Sequence, residues 1–376
     1  MTEFSFSSDL FISARKQKMN KWIKVLSLFD GIACWYEALQ RAGIKIDKYF
    51  ASEIDKYAIQ TAMKNHPDII QIWDVQKVRY STPDRDNGWE YLIADWETVW
   101  EWPIDLLIWG SPCQWFSVAG KQLAFEDPRS KLFFEYVRLL NEVKPKYFLL
   151  ENVRMKQERV DIISWYLWVQ PIEINSSLVS GQNRKRLYRT NIPWVIQPAD
   201  KWILLKDILQ DQVDEKYYYS KERRDRIVNW KYDIVKRVEN KDWKCATLTT
   251  VWWWNHEKKV EDLIFVGGGE LRIKQATKLW YIVAKPWDWI NLSFPSSTTR
   301  RWRVIRWKSS TLVVQWDAFV YDKVIRKLTP VECERLQTLP DNYTEGVSDS
   351  QRYKMLWNGR TVDVIAHIFS FLDLNH

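Results

Sequence analysis

Lys24-Val25-Leu26-Ser27-Leu28-Phe29-Asp30-Gly31 is a short apolar run that ends in an acidic residue and a glycine. Such a run is typical of a buried strand, and the Asp-Gly pair is typical of the turn that follows one. The next segment, Tyr36–Ala42, has helical periodicity and stops at Gly43. This stretch therefore predicts a strand, a turn and a helix, in that order.

The same alternation continues along the chain. Further strands are predicted at Tyr49–Glu53, Ile69–Ile72, Ile104–Ile108 and Tyr147–Leu150, and helices at Asp55–Asn65 and Lys131–Val143. Strands that alternate with helices indicate an α/β fold with a mostly parallel sheet covered on both faces. Ligands bind such sheets at the carboxyl ends of the strands. Those ends carry Asp30, Glu53, Asp74, Cys113 and Glu151.

After about Pro193 the pattern changes to short β-prone pieces separated by polar clusters. We expect a disordered tail over residues 1–20, an α/β region over 21–189, a smaller β-rich region over 190–325 and a return to the first region over 326–376. The smaller region contains the basic residues Arg300, Arg301 and Arg303. They indicate contact with a partner, with a solvated basic loop as the alternative.

Charge and cysteine usage narrow the class of protein. The 376 residues carry a formal net charge of +8, which favours a polyanionic partner. The four cysteines lie far apart, without the spacing of a metal site or a disulfide framework, so we expect no metal and a reducing, cytoplasmic location. No apolar run is long enough to span a membrane.

Four strand ends carry candidate chemistry. Cys113, within Ser111-Pro112-Cys113-Gln114, is placed for nucleophilic attack, although a lone cysteine is more often a buried structural residue. Glu53 and Asp74 suit a bound nucleoside, with helix N-capping as the alternative. Glu151 ends a buried strand and could donate a proton, or form a buried salt bridge.

Together these segments resemble the ordered motifs of the DNA cytosine-5 methyltransferases. The similarity runs from about residue 23 to 372 and spares only the variable middle. It rests on Leu28-Phe29-Asp30-Gly31, Ser52-Glu53-Ile54-Asp55, Trp73-Asp74-Val75, Gly110-Ser111-Pro112-Cys113-Gln114, Glu151-Asn152-Val153, Gln182-Asn183-Arg184-Lys185-Arg186, Arg326-Lys327-Leu328-Thr329-Pro330-Val331-Glu332, Leu336-Gln337, Pro340-Asp341 and Leu356-Trp357-Asn358. Leu132-Phe133-Phe134-Glu135 and Arg186-Leu187-Tyr188 are also similar to the branch that contains the animal de novo enzymes.

The resemblance implies a Rossmann-like catalytic domain over 21–189, completed by 326–376, and a target recognition domain over 190–325. It implies that the Cys113 thiolate adds to C6 of a cytosine in double-stranded DNA, while Glu151 assists at N3. Arg184 and Arg186 would orient the base and favour the thiolate. The cytosine must leave the helical stack, and the loop 114–129 would close over it.

The resemblance also implies S-adenosylmethionine as the cofactor. Its binding residues would be Phe29, Asp30, Gly31, Ile32, Glu53, Ile54, Asp74, Val75, Pro112, Leu132 and Asn358. DNA contacts would come from Gln114, Ser117, Lys121 and Gln182, together with Arg300, Arg301 and Arg303. No metal is implied.

The chain departs from the family at many tryptophans. It has 25 Trp and only 11 Gly, and the family pattern has glycine or a small residue where Trp35, Trp73, Trp109, Trp115 and Trp357 stand. The run Trp252-Trp253-Trp254 lies in a polar segment, where glycine would also be expected. Conversely, related enzymes carry an aromatic residue at Arg189 and Arg360. Our hypothesis is that the gene uses a reassigned code, in which UGA encodes glycine and some CGN codons encode tryptophan, and that it was translated with the wrong table. A real Trp35 should block the methionine end of the cofactor site.

Two alternatives remain at this point. One is a transfer-RNA cytosine-5 methyltransferase, although the Cys-Phe-Thr signature usual in that branch is absent after Glu151-Asn152-Val153. The other is a catalytically impaired, methyltransferase-like DNA-binding protein. We expect a monomer in a prokaryotic or phage-infected cell, with a cognate restriction endonuclease as a partner that it need not contact.

Overall fold

A computed structural model describes residues 22–84, 89–95, 97–100, 103–110, 128–218, 245–246, 271–274, 281–284, 289–290, 304–305, 318–321 and 324–374. Its chain divides into two compact units. The first comprises Met1–Ile174, Arg186–Gln197 and Val362–His376, and the second comprises Asn175–Lys185 and Pro198–Thr361. The domain boundaries inferred above, at 190 and 326, stay predictions.

A seven-stranded sheet forms the centre of the first unit. Its order is β3-β2-β1-β7-β8-β11-β9, with β1 at Trp22–Leu28, β2 at Lys45–Ser52, β3 at Ile69–Gln71, β7 at Leu106–Gly110, β8 at Tyr147–Val153, β9 at Ile172–Asn175 and β11 at Lys185–Thr190. The first five strands in this order, β3, β2, β1, β7 and β8, pair in parallel. β11 runs antiparallel to β8. The mostly parallel sheet predicted from the alternation is thus present.

Helices accompany the strands. They are α1 at Cys34–Arg41, α2 at Lys56–Asn65, α3 at Pro128–Val143, α4 at Gln157–Leu167 and α7 at Val362–Phe369. Asp55 begins α2, since its carboxylate accepts from the backbone N–H of Tyr57 and Ala58 and satisfies donors that a helix start leaves open. α1 packs on α7, where the Trp35 and Phe369 ring centroids are 6.3 Å apart.

The core lies between the sheet and these helices. β1 is almost wholly buried after its first residue, and β7 is buried throughout. Such continuous apolar strands are expected where a parallel sheet is covered on both faces. The main buried cluster includes Leu26, Phe50, Leu107, Tyr136 and Leu150.

A second, antiparallel sheet was not predicted. It consists of β4 (Val78–Asp84), β5 (Trp89–Ala94) and β6 (Glu97–Trp100). Arg138 of α3 ties it to the core, because the guanidinium donates to the carbonyl of Val78 at 2.7 Å. Glu142 accepts from the N–H of Tyr80 at 3.1 Å.

In its described residues, the second unit contains short strand pairs and two α-helices. The strands are β10 (Gln182–Asn183), β12 (Cys245–Ala246), β13 (Leu271–Lys274), β14 (Tyr281–Ala284), β15 (Trp289–Ile290), β16 (Val304–Ile305), β17 (Ala318–Tyr321) and β18 (Val324–Lys327). They pair as β10-β12, β13-β14, β15-β16 and β17-β18. The helices are α5 (Pro330–Leu336) and α6 (Asp349–Asn358). A capping box between Thr329 and Glu332 fixes the start of α5.

Within the described residues, none of the helices combines the length and apolar character that crossing a bilayer requires.

Candidate active site

The turn after β1 contains three residues with positive φ, the last of which is Ala33 with a φ of 61°. Phe29 has a φ of 54° and Gly31 has a φ of 68°. The N–H of Asp30 also donates to the carbonyl of Ser52 at 3.2 Å, which holds the turn against the end of β2. Phe29, Gly31 and Ile32 therefore lie in this turn at the carboxyl end of β1, and their contact with the cofactor stays a prediction.

Asp30 is fully buried, and its carboxylate supports the turn through hydrogen bonds. Oδ1 accepts from the hydroxyls of Ser27 and Tyr49, each at 2.6 Å. A buried charge is tolerated when such donors surround it. Asp30 therefore supports the turn, and no motif in the sequence indicated that Ser27 and Tyr49 are its partners. Alternating strand positions in β1 and β2 could have suggested that they share a face.

Glu53 joins the ends of β1 and β2. Its Oε2 accepts from the N–H of Gly31 at 2.9 Å, and its Oε1 accepts from the N–H groups of Ile54 and Asp55 at 2.8 and 2.9 Å. Glu53 therefore does not cap α2 itself, because Asp55 does. The carboxylate is partly exposed and Ile54 is 74% exposed, so both lie within reach of a bound molecule.

Asp74 follows β3, the neighbour of β2. Its carboxylate accepts from the N–H of Gln76 at 3.0 Å and begins the 3₁₀ turn Val75–Lys77. Asp74 therefore acts as an N-cap, which is the alternative role expected for it. Asp74 is still partly exposed, and Val75 beside it is buried. Ser52 fixes the approach to this turn by donating to the carbonyl of Trp73 at 2.7 Å.

An aromatic cluster lies behind the turn of β1. Trp109, at the end of β7, is fully buried, and its ring centroid lies 5.9 Å from Phe29, 5.7 Å from Phe133 and 4.9 Å from Tyr136. Leu132 and Phe29 are partly buried against the same core. Trp35 is also fully buried. Its expected blockage of the methionine end stays a prediction.

Glu151 lies next to the strand end that leads to Cys113. It pairs with Gly110 across the parallel strands β7 and β8, and Cys113 follows Gly110 by three residues. Glu151 is 7% exposed, and its Oε1 lies 3.3 Å from Nε of Arg186 in β11. The predicted proton donor is therefore buried, in an ion pair with another predicted catalytic residue.

The second unit carries the other predicted site residues that are described. Arg184 is buried and donates to the carbonyl of Gly359 at 3.0 Å. Gln182 is fully buried, and its side-chain amide has no hydrogen-bond partner among the described residues. Asn358 is exposed at the last position of α6.

Several predicted residues lie outside the described part of the chain. They are Pro112, Cys113, Gln114, Ser117, Lys121, Arg300, Arg301 and Arg303, with Trp115 and Trp252–Trp254 among the questioned tryptophans. Their roles stay predictions. In the described residues, no group of three or more His, Cys, Asp or Glu side chains is arranged to hold a metal ion.

Arg189 of β11 is a buried cation behind the site. It is fully buried, and its guanidinium donates to Oδ1 of Asn152 at 3.0 Å, to the carbonyl of Val160 at 3.1 Å and to Oγ of Ser164 at 3.4 Å. No carboxylate forms a salt bridge with it among the described residues. Burial lowers the pKa of Arg189 to about 10, which marks this position as poorly suited to a charge.

Comparisons with known proteins agree with this architecture. The chain is 27% identical to the orphan methyltransferase M.SPRI of Bacillus phage SPR, over 93% of this chain and 97% of that protein. It is 28% identical to the type II methyltransferase M1.ScrFI of Lactococcus lactis subsp. cremoris, over 91% of this chain and 76% of that protein.

Solved structures share the fold, which confirms the predicted methyltransferase sheet. The Entamoeba histolytica methyltransferase EhMeth superposes with a TM-score of 0.57 at 17% identity, covering 94% of this chain and 98% of its own. The family model for C-5 cytosine-specific DNA methylase matches residues 23–159 and 180–372. The chain therefore belongs to the C-5 cytosine-specific DNA methylase family and is a DNA methyltransferase.

Proposed function

We propose that this enzyme transfers a methyl group from S-adenosylmethionine to C5 of a cytosine flipped out of double-stranded DNA, through a covalent adduct between Cys113 and C6. The pairing of Gly110 with Glu151 is the observation that carries the proposal. It places a buried acid beside the end of the strand from which the Cys113 segment departs. A nucleophile and a proton donor are the two groups that this chemistry needs.

The turn and strand ends of the first unit fit the cofactor. Glu53 and Asp74 are partly exposed carboxylates at the ends of neighbouring strands, where they can accept from ribose hydroxyls and an amino group respectively. Gly31 has no Cβ, so its backbone can approach a ligand closely, and it adopts the positive φ of the turn without strain. Bound there, S-adenosylmethionine would supply the methyl group.

The chain's own groups would carry the rest of the reaction. The Cys113 thiolate forms a bond to C6, and electron density moves from the C5–C6 double bond toward N3, where Glu151 donates a proton. C5 would then act as the nucleophile toward the methyl group that S-adenosylmethionine supplies, with S-adenosylhomocysteine as the leaving group. Loss of the C5 proton to a base, cleavage of the bond between Cys113 and C6, and return of the N3 proton to Glu151 restore the neutral ring and free the thiolate. Arg186 holds Glu151 in place throughout.

Contacts with DNA are assigned to the second unit and to the Cys113 segment. The amide of Gln182 has no hydrogen-bond partner among the described residues, which supports this, because a buried amide without a partner is costly unless a ligand satisfies it. The net charge of +8 favours a polyanion. The named relatives include both orphan and type II methyltransferases. We therefore propose either an orphan enzyme or one paired with an endonuclease.

A mechanism-based trap tests the proposal. DNA containing 5-fluorocytosine should form a denaturant-resistant complex with the enzyme in the presence of cofactor, because fluorine at C5 cannot leave as a proton does. Cys113→Ser should abolish both this complex and turnover while cofactor affinity is retained. Cys333→Ala, which alters a buried cysteine of α5, is the matched control and should keep both. Methylation by Cys113→Ser above a few percent of the parent would reject the nucleophile.

Substrate assays separate the alternatives. A DNA methyltransferase produces 5-methylcytosine in the DNA of an expression host, and bisulfite sequencing detects this base. A transfer-RNA enzyme would methylate RNA only, and an impaired protein would show no heat of cofactor binding in calorimetry. Either of these two results would overturn the proposed activity.

A further inference from the structure

Tryptophan is concentrated at backbone positions that side chains avoid. Among the described residues, ten non-glycine residues have a positive φ, and four of them are Trp73, Trp168, Trp194 and Trp202, with φ between 56° and 61°. L-residues rarely adopt this region, because Cβ comes too close to the following carbonyl. Bulky aromatic residues are especially disfavoured there, whereas glycine adopts it freely.

Packing does not compensate for this conformation. The four residues are 57%, 85%, 88% and 76% exposed, respectively. An indole that stays mostly in water gains little from burial, so burial does not offset the unfavourable backbone. Trp168 makes one aromatic contact, with Trp165 at 6.5 Å between ring centroids. Each position thus combines a glycine backbone with a large, exposed, apolar side chain.

The local structures are those in which glycine is the usual residue. Trp168 is the C-cap of α4 in the left-handed conformation, which is the most common glycine position of a helix end. Trp194 follows Pro193 in a turn, and turns that begin with proline often require a positive φ at the next residue. Trp73 connects β3 to Asp74 of the cofactor site.

We infer that the functional protein has glycine at positions 73, 168, 194 and 202, so that these tryptophans arise from a codon that the source organism reads as glycine. Three of the four positions, 168, 194 and 202, were not singled out by motif comparison. The backbone therefore points to the reassigned code independently of any family pattern. Glycine at position 73 would also leave no indole directly before Asp74.

Peptide mass spectrometry of the protein isolated from its source organism tests the inference directly. The peptides that cover positions 168, 194 and 202 should have the mass of glycine at each position. The gene should carry the same codon, UGA, at all four positions. Tryptophan in those peptides, or UGG codons in the gene, would overturn the inference.

Stability measurements on the full chain provide a second test. Trp168→Gly should raise the melting temperature by about 2 °C or more, since it relieves the backbone at the end of α4. Trp168→Ala removes the same indole but keeps a Cβ, and should recover little of this gain. Trp165→Gly is the matched control, because Trp165 is 63% exposed within the regular part of the same helix. It should lower the melting temperature, because glycine weakens a helix interior.

The two substitutions to glycine are therefore expected to act in opposite directions. If Trp168→Gly and Trp165→Gly lower the melting temperature alike, or if Trp168→Ala stabilises as much as Trp168→Gly, the conformation of position 168 does not require glycine. Either result would contradict the inference.

Discussion

The carboxylate of Glu53 accepts a hydrogen bond from the backbone N–H of Gly31 at 2.9 Å. One side chain at the end of β2 thereby fixes the turn that follows β1. Its second oxygen accepts from the N–H groups of Ile54 and Asp55. Glu53 is thus both a ligand candidate and a support of the site.

Glu53→Gln should weaken S-adenosylmethionine binding by about tenfold or more, because an amide can replace only one of the two acceptor oxygens and carries no charge. Calorimetry on both proteins gives the dissociation constants. Glu158→Gln, on the exposed side of α4, is the control and should bind as the parent does. Equal affinities for Glu53→Gln and the parent would remove Glu53 from the cofactor site.

Tyr49→Phe should destabilise the first unit by roughly 1.5–3 kcal/mol, which is usual for a hydrogen bond to a charged group. The change removes one of the two hydroxyls that Asp30 accepts from, and leaves a buried carboxylate short of a donor. Urea titration measures the loss. Tyr57→Phe, which lies in the first turn of α2, should change stability much less, and an equal loss in both variants would contradict the role of Asp30.

Glu151→Gln should reduce turnover by about 100-fold or more, since an amide cannot supply the proton. Cofactor affinity should be unchanged, because the change leaves the proposed cofactor ligands Glu53 and Asp74 intact. Single-turnover methylation assays separate the two effects. Glu173→Gln breaks a partly exposed salt bridge with Arg154 and serves as the control. A parallel fall in cofactor affinity would instead indicate a structural role for Glu151.

The alternation of apolar runs and helices predicted much of the first unit from sequence. The strand ends near Asp30, Glu53 and Asp74 were located because acidic residues stop apolar runs visibly. The predicted end at Glu151 was wrong, since β8 continues through Glu151 to Val153. The sheet of β4 to β6 was missed, since its residues combine apolar, aromatic and charged side chains without clear alternation. The capping by Asp55 agrees with the predicted start of α2.

Other features depend on contacts that sequence does not encode locally. The ion pair between Glu151 and Arg186 joins residues 35 positions apart on antiparallel strands, and the predicted parallel alternation gave no indication of β11. The hydrogen bond from Tyr49 to Asp30 likewise requires the register of β1 and β2. Backbone φ is invisible in sequence, so Trp168, Trp194 and Trp202 were not recognised.

His66 should make the first unit less stable in mild acid. Burial lowers the pKa of His66 below its ordinary value, although Glu37 and Asp68 nearby oppose the shift. The unfolded chain therefore binds a proton first. This contribution to stability is complete above about pH 6.5 and is lost as the pH falls through the lower folded pKa.

Melting temperatures of the parent and His66→Gln between pH 7.5 and 5 measure this effect. The variant should lose less stability over that range than the parent. His367→Gln, which removes a partly exposed histidine of α7, should follow the parent. An unchanged pH dependence in His66→Gln would show that His66 is not responsible.

Arg189→Trp should increase the free energy of unfolding by about 1–3 kcal/mol. The folded protein holds this guanidinium among neutral groups only, as far as the described residues extend, and a pKa lowered to about 10 corresponds to a cost of roughly 3 kcal/mol. The loss of hydrogen bonds to Asn152, Val160 and Ser164 offsets part of that gain. An indole keeps one N–H for these acceptors and adds apolar surface to the core.

Two further variants separate charge from shape at position 189. Arg189→Lys keeps the charge but loses the planar group, so it should be less stable than the parent. Arg189→Met removes the charge without any donor, and should fall between Arg189→Lys and Arg189→Trp. Urea titrations of the four proteins give this order. If Arg189→Trp proves less stable than the parent, the buried arginine is native to this fold and the position does not call for an aromatic residue.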